Sequence, residues 1–367
     1  MSRGKTAIVL TGGGARGAYQ AGALKAIAHI TSQASIDRPF DIFVGNSAGA
    51  LNSCWMVSNV DSFESAANQL AEFWENLTTD QVFRTDFKSL FGRGARWIWE
   101  LSTGGLHNKK VVRSLLDTSP LFRLIIREID FERLHANIRN GLADAVALTA
   151  VNYTTGNSRV FHYTNESVST WKKVRRDSIE SELTPKHVMA SSAIPILFPP
   201  VRIGDDYFGD GSLRNYTPLS PAIHLGAHRI FVIGVRAQDS TVAVPPRYPS
   251  LARILSVILN FVILDAVDYD LDVMNRVNQL QPPSQSGLRP IEVLMARPND
   301  DLGQVAMENV GAAPPLLRYL IRGLGTDSEA SDLISYLLFE PPYLTHLVRM
   351  GYDDTINRRD EILDFLS

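Results

Sequence analysis

A single cysteine, Cys54, is the only thiol among 367 residues. An intrachain disulfide is therefore impossible, and so is a CxxC metal or redox site. One thiol suits a reducing compartment. Basic residues are not in excess either: 36 Lys and Arg stand against 39 Asp and Glu, a net charge of −3, whereas nucleic-acid binders usually carry a basic face or tail. No run of about 18 apolar residues occurs, so no membrane span is expected. The apolar stretch Ala7-Ile8-Val9-Leu10 is too short for a signal-peptide core and has no small-residue cleavage site after it. These absences predict a cytoplasmic protein with no leader and no nucleic-acid partner. What is present is ordinary for a globular protein, 45% hydrophobic and 20% charged residues. The length accommodates one large domain with appendages.

Apolar runs at Thr6–Leu10 and Phe40–Val44 each lead into a glycine turn and then a stretch of helical character. After the first, Tyr19, Ala23, Ile27 and Ile30 recur at spacings of four, four and three, one face of a helix. Strand, glycine turn and helix twice within fifty residues predict an α/β sandwich built on parallel strands. Further strands are expected at Asp144–Val151 and Ser158–Tyr163, joined as a hairpin by Asn152–Asn157, and at Arg229–Val235 and Ile291–Ala296. Residues 69–134, with Trp74, Trp97 and Trp99, read as a helical insertion. The chain thus divides into 1–238, a three-layer α/β/α unit with a mostly parallel central sheet, and 239–367, a mainly helical extension with one further strand. Gln281–Gly287 reads as a loop.

Three motifs carry chemistry. In Gly12-Gly13-Gly14-Ala15-Arg16-Gly17, glycines after a strand leave backbone N–H groups open at a helix start, a site for a phosphate or an oxyanion. Gly12, Gly14 and Gly17 also satisfy the dinucleotide fingerprint, with Asp37 near the place of its ribose-binding carboxylate. However, Thr31–Ile36 lacks the apolar second strand that such a fold requires. The second motif, Gly45-Asn46-Ser47-Ala48-Gly49, places a serine on a strand-to-helix turn between small residues, as a nucleophile elbow does. Such a pentapeptide arises by chance on the order of 0.1 times in a chain this long, and a serine there can also be a plain helix N-cap. The histidines that follow Ser47, of which His224 and His228 come nearest a suitable place, include no convincing base. Asp210-Gly211-Ser212 offers a carboxylate instead, although an aspartate beside glycine is by itself often only a turn.

Together with Ala18–Leu24, Ala190–Pro200, Asn215 and Pro218, these motifs resemble the patatin-like phospholipase family, as a bacterial-type acyl hydrolase, over nearly the whole chain. The resemblance implies a patatin-like three-layer fold and a Ser–Asp dyad. In it Ser47 is the nucleophile and Asp210 the base, with an oxyanion hole at Gly12, Gly13 and Gly14 and Arg16 nearby. Gly45, Gly49 and Gly211 complete the motifs. No metal and no cofactor are implied. At Ser212 the family usually has glycine or alanine; the hydroxyl can alter the hydrogen bonding of Asp210.

The expected function is lipid acyl hydrolysis of the phospholipase A or lysophospholipase type, on phospholipid or lysophospholipid, with transient contact at a membrane surface. A soluble carboxylesterase or acyltransferase is the alternative. A silent regulatory or nucleotide-binding protein fits the intact motifs less well. The apolar stripe Leu251, Leu255, Ile258, Leu259, Val262 and Ile263 can serve as a lid, an interfacial helix or a core helix. Oligomeric state is not encoded in these patterns.

Overall fold

A computed structural model describes residues 4–84, 114–214, 217–237, 250, 253–254, 256–258, 260, 265–279, 289–315, 317–318 and 331–367. The expected sites at Trp97, Trp99, Asn215 and His107, and the loop 281–287, lie outside them. So do Leu251, Leu255, Leu259, Val262 and Ile263 of the apolar stripe.

Among the described residues, ten strands make one sheet: β1 Thr6–Leu10, β2 Ile42–Gly45, β3 Ala145–Asn152, β4 Ser158–Thr164, β5 Lys172–Lys173, β6 Arg176–Glu180, β7 Val201–Ile203, β8 Asp206–Asp210, β9 Arg229–Ile233 and β10 Glu292–Ala296. Their order is β10-β9-β1-β2-β3-β4-β6-β5, with β8 paired to β3 and β7. From β10 to β3 every pairing is parallel; β4 and β8 both pair with β3 antiparallel. The strand β3 is therefore where the sheet changes direction. The hairpin expected across Asn152–Asn157 is present as β3 and β4. A second hairpin, β7 to β8, turns at Gly204 and Asp205.

Alternation along β1 and β2 explains the layers. Ile8, Leu10 and Phe43 face a core shared with the helices on one side, while Ala7, Val9, Ile42 and Val44 face a smaller core on the other. The helices used below are α1 Gly17–Gln33, α2 Ala48–Ser58, α3 Phe63–Glu75, α4 Ser119–Glu128, α5 Pro185–Ser191, α6 Asp265–Gln279, α7 Ser331–Leu337 and α8 Pro341–Ile356. On α1, Tyr19, Ala23, Ile27 and Ile30 are all buried, the face that the spacing predicted. The first core holds residues of α1, α2 and α3, and the second holds Val267 and Met274 of α6. Helices on both faces of a mostly parallel sheet make a three-layer α/β/α fold.

The C-terminal third is not a separate layer. Its strand β10 extends the sheet beside β9. Its helix α8 lies so close to α1 that a Cβ on Gly22 would sit 1.9 Å from the Val348 carbonyl oxygen, and one on Gly351 2.0 Å from that of Tyr19. Of the expected stripe only Ile258 is described, and it is exposed, as are the neighbouring Ile254 and Val257, while Ser256 is buried. Among the described residues no helix is long and apolar enough to cross a membrane.

Candidate active site

The chain leaves β2 at Gly45 and enters α2 at Ala48, with Ser47 in between at φ 53° and ψ −123°. A non-glycine residue in that region stores strain, and such strain gathers at functional sites. Crowding explains the flanking glycines. A Cβ on Gly45 would lie 2.1 Å from the Gly49 carbonyl oxygen, and one on Gly49 2.1 Å from that of Leu10. No other side chain fits at either position. The positive end of the α2 dipole points toward the turn that carries Ser47.

Asp210 ends β8, opposite Ala150 of β3, and is 1% exposed. Its Oδ1 accepts the Ser212 N–H at 2.9 Å. Its Oδ2 is buried and has no partner at regular hydrogen-bond geometry, and the same is true of the Ser212 hydroxyl. Burial pushes the carboxyl up from 3.8 to about 6, against the opposing pull of the Ser212 N–H and of the Ser47 and Ser212 hydroxyls. The Ser47 hydroxyl is thus near enough to act on the carboxylate, yet the bond is not closed.

One backbone carbonyl positions both groups. The Ser47 N–H donates to Ser191 Oγ at 3.0 Å, and Ser191 Oγ donates to the Thr149 carbonyl at 2.7 Å. A Cβ on Gly211, next to Asp210, would lie 2.0 Å from that same oxygen. Ser191 sits at the end of α5 in the segment Ala190–Pro200; only its place among small residues hinted at this role. Ser191→Ala would leave the Ser47 N–H and the Thr149 carbonyl unpaired, a loss of about 1–3 kcal/mol. Chemical denaturation should register that loss, and an unchanged midpoint would show that the elbow does not depend on it.

The glycine run forms the third side. Gly14 has φ +56°, and a Cβ there would lie 2.3 Å from the Tyr336 carbonyl oxygen. Gly14 opens a short 3-10 turn, Gly14–Arg16, that runs into α1, where the first N–H groups lack partners within the helix. Gly14 shares a pocket with Ser47 and Ala48. The Arg16 side chain is placed differently from Ser47 and Gly14: it is 2% exposed and donates to Ser335 Oγ at 2.8 Å and Asp332 Oδ1 at 2.9 Å. Its guanidinium also lies 4.6 Å from the centre of the Tyr336 ring.

The pocket is narrow, with a cavity volume of about 40 Å³, and runs from Ser47 and Gly14 between Leu51, Trp74, Leu77, Val82, Leu121, Leu124, Ile194, Phe198 and Phe339. Between two of these lining residues, Ile196 has φ 69° and is 61% exposed. Its carbonyl accepts the Leu115 N–H at 3.0 Å and that of Leu197 accepts the Leu116 N–H at 2.8 Å. A β-branched residue is strained there, and no burial offsets the cost. Ile196→Gly should raise stability by about 1 kcal/mol, seen as a higher melting temperature; a lower one would mean that the side chain is held by contacts.

Four of the described histidines make contacts elsewhere. His187 Nδ1 accepts the Thr184 N–H at 3.0 Å, His135 packs edge-on against Tyr163, and His162 and His224 sandwich Trp171. The dinucleotide reading also meets an obstacle: α1 continues to Gln33 and the next strand starts only at Ile42, so Asp37 does not end a second strand. Among the described residues no cluster of three metal-ligating side chains occurs.

A strained serine elbow, a buried carboxylate and a glycine turn thus meet in one α/β fold beside an apolar pocket. Residues 8–223, more than half of the chain, match the family model described as patatin-like phospholipase. The chain belongs to the patatin-like phospholipase family. No curated protein matches its sequence. Among solved structures it is similar to VipD from Legionella pneumophila, at 13% identity and TM-score 0.38, over 98% of this chain and 67% of that one. It is also similar to human GIVD cytosolic phospholipase A2 in complex with methyl gamma-linolenyl fluorophosphonate, at 10% identity and TM-score 0.45. That match covers 99% of this chain, which spans 58% of the human chain.

Proposed function

We propose that the protein is a lipid acyl hydrolase of the phospholipase A or lysophospholipase type that works through a Ser47–Asp210 dyad and an acyl-enzyme. The observation that carries this reading is the partnerless Asp210 Oδ2, buried near a strained Ser47 that opens into an apolar pocket. Family membership supports a lipid hydrolase in general; the dyad and the substrate are our own reading.

Asp210 takes the proton of Ser47 Oγ as that oxygen attacks the ester carbonyl carbon. The backbone amides of Gly12–Gly14 stabilise the oxyanion of the tetrahedral intermediate. Collapse breaks the bond to the alcohol, which leaves with the proton from Asp210, and an acyl-Ser47 ester remains. Water, deprotonated by Asp210, then releases the fatty acid. A carboxyl with a pKa near 6 is a better base for this than an ordinary aspartate. The apolar lining of the pocket suits an acyl chain, and a substrate with such a chain would be met at a membrane surface.

An alkyl fluorophosphonate followed by peptide mapping tests the nucleophile, with a single adduct expected on Ser47. An adduct elsewhere, or none, would count against the proposal. Initial rates on phospholipid and lysophospholipid vesicles, set beside those on a short soluble ester, test the substrate class. Exclusive turnover of the soluble ester would move the assignment to a carboxylesterase.

A further inference from the structure

The glycine turn is held from a distant part of the chain. Arg16 closes it through its backbone, N–H to the Gly13 carbonyl at 3.1 Å, while its side chain reaches α7, more than 300 residues away. Nε donates to Ser335 Oγ and Nη2 to Asp332 Oδ1. Tyr336 of the same helix contributes its ring beneath the guanidinium and its carbonyl against Gly14. The second oxygen of Asp332 is held too: Asn260 Nδ2 donates to Oδ2 at 2.8 Å, and the Tyr336 hydroxyl donates to Asn260 Oδ1 at 3.2 Å. Asp332, Ser335 and Tyr336 all lie beyond residues 8–223 that match the family model.

A buried ion pair adds little stability over a well-packed apolar pair of the same volume. What it does supply is direction, because the planar guanidinium fork fixes the angles of its partners. We propose that Asp332 and Ser335 are positioning residues for the oxyanion turn. By locking Arg16 they keep the amides of Gly12–Gly14 where negative charge develops on the substrate. The inference rests on the hydrolase reading above.

Two variants of the full chain test it on a short p-nitrophenyl ester. Ser335→Ala removes one bond to Arg16, and Arg16→Met combined with Asp332→Leu replaces the charges by an apolar pair. A turn released by even about an ångström should lower kcat on the order of tenfold to a hundredfold. KM should stay within about twofold, as expected when only transition-state stabilisation is lost. Affinity for a trifluoromethyl ketone, which forms a tetrahedral adduct, should fall in step with kcat, and Ser335→Thr should restore both. Folded variants with wild-type kcat and ketone affinity would overturn the proposal. So would a loss of rate matched by the loss of titratable active sites, since the remaining sites would then be fully competent. Hydrolysis by the wild type that depends on Ser47, together with unaffected variants, rejects the positioning role alone. Absence of Ser47-dependent hydrolysis rejects both readings.

Discussion

Ser47→Ala should abolish ester hydrolysis, with kcat lowered by at least about a thousandfold. The fold should not notice. The elbow is held by the Ser47 backbone N–H, which alanine keeps, and by the glycines at 45 and 49. Stability should therefore change by less than about 1 kcal/mol. Ester binding should persist, so the loss belongs in kcat rather than KM. The covalent fluorophosphonate adduct should vanish with the hydroxyl. A variant that still turns over lipid or soluble ester at a substantial fraction of the wild-type rate would place the nucleophile elsewhere.

Asp210→Asn should separate activity from stability in opposite directions. Asparagine cannot accept the Ser47 proton, and the loss of a general base lowers kcat by about 10²–10⁴-fold. Burial has raised the pKa of this carboxyl from 3.8 to about 6, so ionising it disfavours the folded state. The penalty is absent below pH 3.8, grows between the two values and is complete above pH 6. A shift of that size corresponds to about 3 kcal/mol. The permanently neutral asparagine side chain escapes it. At pH 8 the variant should be more stable than wild type by up to about 3 kcal/mol, and the difference should disappear near pH 4. Asp270, buried and also raised to about 6, adds its own pH dependence to both proteins, so the difference between them isolates Asp210. In the wild type, kcat/KM should rise tenfold per pH unit on the acid side and level off above pH 6. A flat profile between pH 5 and 8 would mean that another group is the base.

Much of this was readable in advance because it is local. Apolar runs placed β1, β2, β3, β4, β9 and β10 within a residue or two, and a helical period reported the buried face of α1. Ser47 and Asp210 could be singled out because each sits in a short motif whose glycines are demanded by close backbone contacts. Other features leave no local trace. The bonds from Arg16 to Asp332 and Ser335 join segments far apart in sequence, and a buried polar residue on a C-terminal helix resembles any surface polar residue until the fold is known. The resemblance implied Arg16 beside the oxyanion, whereas its guanidinium donates to Asp332 and Ser335 of α7 and to the Val235 carbonyl. The short strands β5 and β6 carry Lys172, Lys173, Arg176 and Asp177, too polar to show an apolar period. The left-handed Ile196 could not be expected, since a β-branched residue is the wrong sequence for that conformation.

The double role of β3 bears on how the molecule comes into being. Ser47 is brought into place when Gly45 pairs opposite Leu148, and Asp210 when it pairs opposite Ala150. Neither pairing is local, and non-local pairings form late and together in folding. A nascent or half-folded chain therefore holds Ser47 and Asp210 apart. Under the proposed function, the capacity to cut an ester arrives only with the finished sheet.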